Sequence, residues 1–215
     1  MRRRRDSYTI HLDRIWAIDD LYVFPRALQQ VYFLLWSLTS KHDEVDAERI
    51  ARAYSTFPWQ GGYSAVGFYD QLKFVIPKSK RLRVLSIRYE SPGWIEIAVI
   101  VIIAKNLEKI VKSVASSIKH CNNVYHDIWT GLQKRKLLKL KTRRAELALK
   151  RDERKYINQT LKEMAAILQM PSVRKLNELT GDSYISLKIL LSLYRRVRTL
   201  ANYQNQGKAD FRNEK

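Results

Sequence analysis

Eleven lysines and arginines fall between Lys134 and Lys155, in KRKLLKLKTRRAELALKRDERK, where the only acids are Glu146, Asp152 and Glu153. The bases are Lys134, Arg135, Lys136, Lys139, Lys141, Arg143, Arg144, Lys150, Arg151, Arg154 and Lys155. Ammonium and guanidinium groups at this density have one common chemistry: they displace the counterions around a polyanion such as RNA or DNA. A solvated helical face, with Glu146 and Lys150 paired at four-residue spacing, is the plainer account of the same stretch. The scarcity of acids favours the polyanion. If about six phosphates are contacted, affinity should fall with salt at a log–log slope near −5.

A second basic set comprises Lys73, Lys78, Lys80, Arg81, Arg83 and Arg88, with Tyr69, Phe74 and Trp94 nearby. Rings interleaved with bases on a sheet can stack exposed nucleobases while the cations hold their phosphates. Core aromatics flanking a basic turn would produce the same composition. Arg2, Arg3, Arg4 and Arg5 could form a flexible arm on the backbone, or a solvated tail. Arg195, Arg196 and Arg198 are read as closing the last helix, where cations favour the macrodipole.

Residues able to do bond-breaking chemistry are sparse. His120, Cys121 and His126 form the one cluster with metal-ligand or nucleophile character, but a His adjacent to a Cys on a helix chelates poorly. Asp152-Glu153-Arg154-Lys155 contains an acid-x-Lys triplet, yet in mid-helix rather than on adjoining strands. Asp43, Glu44, Asp46 and Glu48 are explained by acids favouring the first turn of a helix. Gly61-Gly62 lacks the following Lys-Ser/Thr of a phosphate-cradling loop. No enzyme motif survives, and neither a cofactor nor a metal is expected.

These residues need elements to hold them. The chain has 215 residues, 46% of them hydrophobic, which is enough for a packed core. The net charge of +19 and a pI near 10.1 point to nucleic acid, anionic lipid or an acidic protein as partner. Cys121 is the only cysteine, so an intrachain disulfide is excluded and a reducing cytoplasm fits. Charged residues from Asp6 to Asp20 argue against a signal sequence. The apolar run Ile95–Ala104 is too short to span a membrane, which needs about twenty residues, so no transmembrane segment is expected.

Tyr8–Leu12 alternates as a short strand does. After Pro25, the run 27–38 predicts a largely buried helix, and Ser40 or Asp43 can cap a second one through Ala53. Leu72–Ile76 and Leu82–Tyr89 predict two strands joined by the basic turn 77–81. Ser91 as N-cap and Pro92 at the first helical position predict a helix from Trp94 to about Ser117. Leu140, Leu147, Leu161 and Leu168 predict one long basic helix from about Tyr125 to Gln169. Ser172 or Asp182 can cap further helices over 173–179 and 184–201, and the polar tail from Tyr203 onward is expected to be disordered. The fold class is α+β, with a small antiparallel sheet and packed helices in the N-terminal part and a helical C-terminal part. The expected division is an α+β domain over 1–122, a basic helical region over 123–203 and a tail over 204–215.

The segment from Arg83 to Lys112 reads as a strand, Tyr89-Glu-Ser-Pro-Gly93, Glu96 and then an apolar helix. In this it resembles uncharacterised bacterial proteins of mobile-element and phage-defence loci. That resemblance covers about thirty residues and implies a cytoplasmic partner protein in such an assembly. It assigns no site residues. The sequence thus predicts a non-enzymatic nucleic-acid-binding component of a larger nucleoprotein or antiphage-defence assembly. A protein-interaction or membrane-directed effector, docking through its apolar Ile95 helix or through the leucine repeat, is the alternative, and a protein partner or a homo-oligomer is also compatible. An enzyme without a recognisable motif is the third reading.

Overall fold

The computed structural model describes residues 7–39, 41–55, 66–137, 149–170 and 173–211. Among them the chain forms β1 (Ser7–Leu12), α1 (Asp20–Thr39), α2 (Glu44–Ser55), α3 (Val66–Val75), β2 (Arg83–Arg88), β3 (Gly93–Ala98), α4 (Val101–Ser116), α5 (Ile118–Lys134), α6 (Arg151–Ile167), α7 (Val173–Thr180), α8 (Ser183–Asn205) and β4 (Ala209–Asp210). The four strands make one antiparallel sheet in the order β2-β3-β1-β4. The fold is α+β, as the sequence pattern predicts.

Tyr8, Ile10 and Leu12 of β1 and Ile95 and Ile97 of β3 are buried on one face of the sheet. Cross-strand register sets Tyr8 opposite Ile97 and Ile10 opposite Ile95, so the period-two alternation of both strands agrees. The helices pack around α1 and α8, and α8 lies against α1, α4 and α6. Both are apolar around most of their circumference, which suits helices enclosed by others. One buried cluster runs from Tyr8 to Phe211 and takes in residues of every helix. The caps agree with the sequence. Asp43 Oδ1 accepts from the Asp46 amide at 2.8 Å, and Asp182 Oδ1 accepts from the amides of Tyr184 and Ile185 at 2.6 and 3.0 Å.

Four expectations are overturned. Leu72–Ile76 is not a strand: 72–75 close α3, and Ile76 follows directly. Phe68, Tyr69, Leu72 and Ile76 are all buried, a helical stripe whose first half lies outside the five-residue window read as extended. Lys78–Lys80 is a single 3₁₀ turn leading from that helix into β2, so the basic residues do not form a hairpin loop.

Residues 94–98 are strand, not helix. Ser-Pro-Gly makes the β2–β3 turn, where a Cβ on Gly93 would come within 2.3 Å of the Arg88 carbonyl oxygen. The helical spacing of Ile103, Leu107, Ile110, Val111 and Val114 belongs to α4 alone. Ile95 and Ile97 are consumed by the sheet, so the apolar helix invoked for docking does not exist in that form.

The single helix over 125–169 is broken. α5 ends at Lys134, and Lys136 adopts a left-handed backbone at φ 55°. α6 starts afresh at Arg151, with the Lys150 amide donating to Glu153 Oε2 at 2.7 Å. Neither end carries glycine, proline or a usual N-cap residue, so the break leaves no local punctuation in the sequence. Leu140 and Leu147, two members of the supposed repeat, lie outside the described residues.

Finally, the stretch after Tyr203 is folded through Phe211. α8 continues to Asn205, Gly207 turns the chain at φ 68°, and β4 pairs with β1. Phe211 is fully buried, and its carbonyl accepts from the Tyr8 hydroxyl. Lys208 Nζ lies 2.7 Å from Asp20 Oδ2, a bridge that ties this turn to the start of α1.

Candidate nucleic-acid interface

The basic stretch is divided between two helix ends, and the fold brings those ends together. α5 packs on α6 through Tyr156, whose hydroxyl donates to the Ile128 carbonyl at 3.3 Å. The approach is close: a Cβ on Gly131 would sit 1.8 Å from the Tyr156 hydroxyl oxygen. Only glycine admits the ring there. Arg135, at the end of α5, then lies over the Tyr156 ring at 3.8 Å and also donates to the Gly131 carbonyl at 3.2 Å. Leu137 is buried, and its carbonyl accepts from Tyr184 on α8 at 2.6 Å, which fastens the chain leaving α5 to the core.

The result is a corner with Lys134, Arg135 and Lys136 on one side and Lys150, Arg151, Arg154 and Lys155 on the other, all exposed. Of the two acids at the start of α6, Glu153 is engaged in capping the Lys150 amide. The corner therefore gathers seven exposed positive charges at two packed helix ends. Lys139, Lys141, Arg143 and Arg144 lie outside the described residues, as do Arg2, Arg3, Arg4 and Arg5.

The second basic set is scattered by its change of element. Lys73 sits on α3, Lys78 and Lys80 on the 3₁₀ turn, and Arg83 and Arg88 on β2. Arg81 is half-buried and donates to the Ile76 carbonyl at 2.9 Å, an internal duty. Arg88 pairs with Glu90 at 2.5 Å and stacks over Trp94 at 5.0 Å. That pairing holds the Arg88 guanidinium above its ordinary range, through its hydrogen bond and charge contact with Glu90. Of the three aromatics expected beside these bases, Tyr69 is buried, Trp94 is half-buried and Phe74 is exposed.

β2 itself is unusual. It is an edge strand with every residue exposed, Val84 at 62% and Ile87 at 56% although they lie opposite buried Ile97 and Ile95. A register irregularity between Val84 and Ser86 sets Leu85 outside the pairing.

The chemically suggestive cluster dissolves. Cys121 is buried in the core, where desolvation raises its thiol pKa, while His120 and His126 are exposed. Among the described residues no three His, Cys, Asp or Glu side chains converge as a metal site would require. No helix among them is long and apolar enough to cross a membrane.

Sequence reasoning missed the part played by Arg196. α8 runs on to Asn205, so Arg195, Arg196 and Arg198 occupy its middle turns rather than its end. Arg196 is half-buried: Nε donates to Gln30 Oε1 at 2.6 Å, Nη1 donates to the Ser192 carbonyl and hydroxyl at 2.8 and 2.7 Å, and the guanidinium covers the Tyr69 ring at 3.9 Å. Burial, with Arg195 and Arg26 nearby, pushes its pKa below the usual arginine value. The sequence signal was a pair of arginines inside an apolar helix, but the partners lie 127 and 166 residues away.

Neither a known protein-family model, nor a characterised protein, nor a solved structure matches this chain.

Proposed function

We propose that the protein is a non-enzymatic nucleic-acid-binding component that grips the phosphate backbone at the α5–α6 corner. The observation that supports this reading is that two packed helix ends carry seven exposed bases. Backbone contacts of this kind supply affinity with little sequence readout. RNA and DNA backbones both satisfy them, and the Arg83–Lys112 resemblance supports a place in a bacterial nucleoprotein or defence assembly. The test is fluorescence anisotropy with single-stranded and duplex RNA and DNA across a salt series. The combined change Lys134→Glu, Lys136→Glu, Lys150→Glu, Arg151→Glu and Lys155→Glu should weaken binding by at least about a hundredfold and flatten the salt slope. Its far-ultraviolet circular dichroism should match the parent. Unchanged affinity in a folded variant rejects the site.

The exposed edge of β2 supports a second role within such an assembly, docking a partner by strand addition. Among the described residues nothing pairs with that edge. Two copies joined symmetrically there would set Arg83 against Arg88, a like-charge pair, so an extended acidic–apolar segment fits better. An octapeptide of alternating Glu and Val should slow amide exchange in β2, and its Lys–Val counterpart should not. Equal protection by both sinks this role.

A further inference from the structure

A cleft of about 420 Å³ opens between α1 and α3, with Tyr22, Arg26, Gln30, Tyr69, Asp70 and Lys73 among the residues lining it. We infer that this cleft is a phosphate-binding pocket that takes a nucleotide, either free or as the phosphorylated end of a strand.

The cleft gathers cations, and among the described residues no acid forms an ion pair with Arg26 or Lys73. Arg26 and Lys73 line it, and Asp70 is the one acid in its wall. Behind the wall stands Arg196, which holds Gln30 by a 2.6 Å hydrogen bond and covers Tyr69. The acceptors that meet this half-buried guanidinium are an amide, a carbonyl and a hydroxyl, all neutral, so its charge adds to the field in the cleft. Like charges brought together at the edge of an apolar core repel one another and cost stability, and an anion bound among them reverses the sign of that term.

Two further features suit a nucleotide. Tyr22 is exposed at the rim, beside Arg26, which lies over its ring at 5.4 Å and donates to its hydroxyl. An aromatic at the rim of a basic pocket can take the face of a nucleobase while the cations hold the phosphate. Tyr69 is fully buried in the wall, and its hydroxyl lies near that of Ser192, which accepts from Arg196. The cleft volume falls within the range of small-ligand sites. At about 420 Å³ it has room for a mononucleotide or a strand terminus. This site is separate from the α5–α6 corner and stands or falls without it.

The test is titration calorimetry of the full chain with AMP and with adenosine at low salt. AMP should bind at least about tenfold more tightly than adenosine, since the phosphate carries the charge-assisted hydrogen bonds. Arg26→Gln and Lys73→Gln, made singly, should each weaken AMP about tenfold, and the five-residue corner variant should bind AMP as the parent does. Competition separates the two sources of the phosphate. A 5′-phosphorylated decamer that displaces AMP where its 5′-hydroxyl form does not assigns a strand end, and failure of both assigns a free nucleotide. AMP and adenosine binding alike, no AMP binding at millimolar concentration, or full affinity in both single variants would overturn the proposal.

Discussion

At the α5–α6 corner Arg135 lies on the outside of Tyr156, and its neighbours Lys134 and Lys136 face solvent. On α8, Arg196 also lies on a tyrosine, but it is half-buried, and each of its three recorded hydrogen bonds is to a group inside the fold. The two regions use one residue type for opposite ends. At the corner the cation is held out by an aromatic platform and is available to a partner. In the cleft wall it is part of the packing, and its charge reaches the cleft only as a field. A count of bases ranks the corner first and the α8 arginines last, whereas burial and partner identity separate the two roles.

This contrast can be broken by substitution. The largest effect falls on the packed side. Tyr69→Ala removes a fully buried ring beneath Arg196 and should cost about 3–5 kcal/mol in urea unfolding. Arg196→Ala should cost about 2–3 kcal/mol, because Gln30 and Ser192 lose a charged donor in a half-buried setting. A loss under about 0.5 kcal/mol would show that Arg196 is solvated rather than embedded. The smallest effect falls at the corner. Arg135→Ala removes an exposed cation–π contact, and the same unfolding measurement should register no more than about 1 kcal/mol. If Arg135→Ala proves as damaging as Arg196→Ala, the distinction between presented and embedded arginine collapses.

Much of the architecture is legible in the sequence. The buried helix through 27–38, the Asp43 and Asp182 caps, the alternation of Tyr8–Leu12 and the helical stripe from Ile103 to Val114 all follow from local periodicity and hydrogen-bonding chemistry. The failures share a cause. Leu72–Ile76 and Trp94–Ala98 are windows of five residues, too short for period two and period 3.6 to be told apart when their neighbours are misassigned. The break after Lys134 depends on Leu137 reaching Tyr184 and on Tyr156 reaching Gly131, contacts invisible to a local pattern. The tail from Tyr203 looked too polar to fold, yet it is held by Tyr8 from nearly the opposite end of the chain and by the Lys208–Asp20 bridge.

The charge of the candidate interface is legible in the sequence, but its geometry is not. A dense positive charge is written in composition and in the run 134–155, because charge is carried by residue type whatever the fold. Which of those bases share a surface is not, since two helix ends had to be folded back on each other first. The cleft at α1 and α3 was invisible for the same reason: Gln30, Tyr69 and Arg196 come from three distant segments. Local rules determined the sign and density of charge and most of the helices. Only long-range packing decided where water is excluded, and therefore which cations are presented to a ligand and which are retained within the protein.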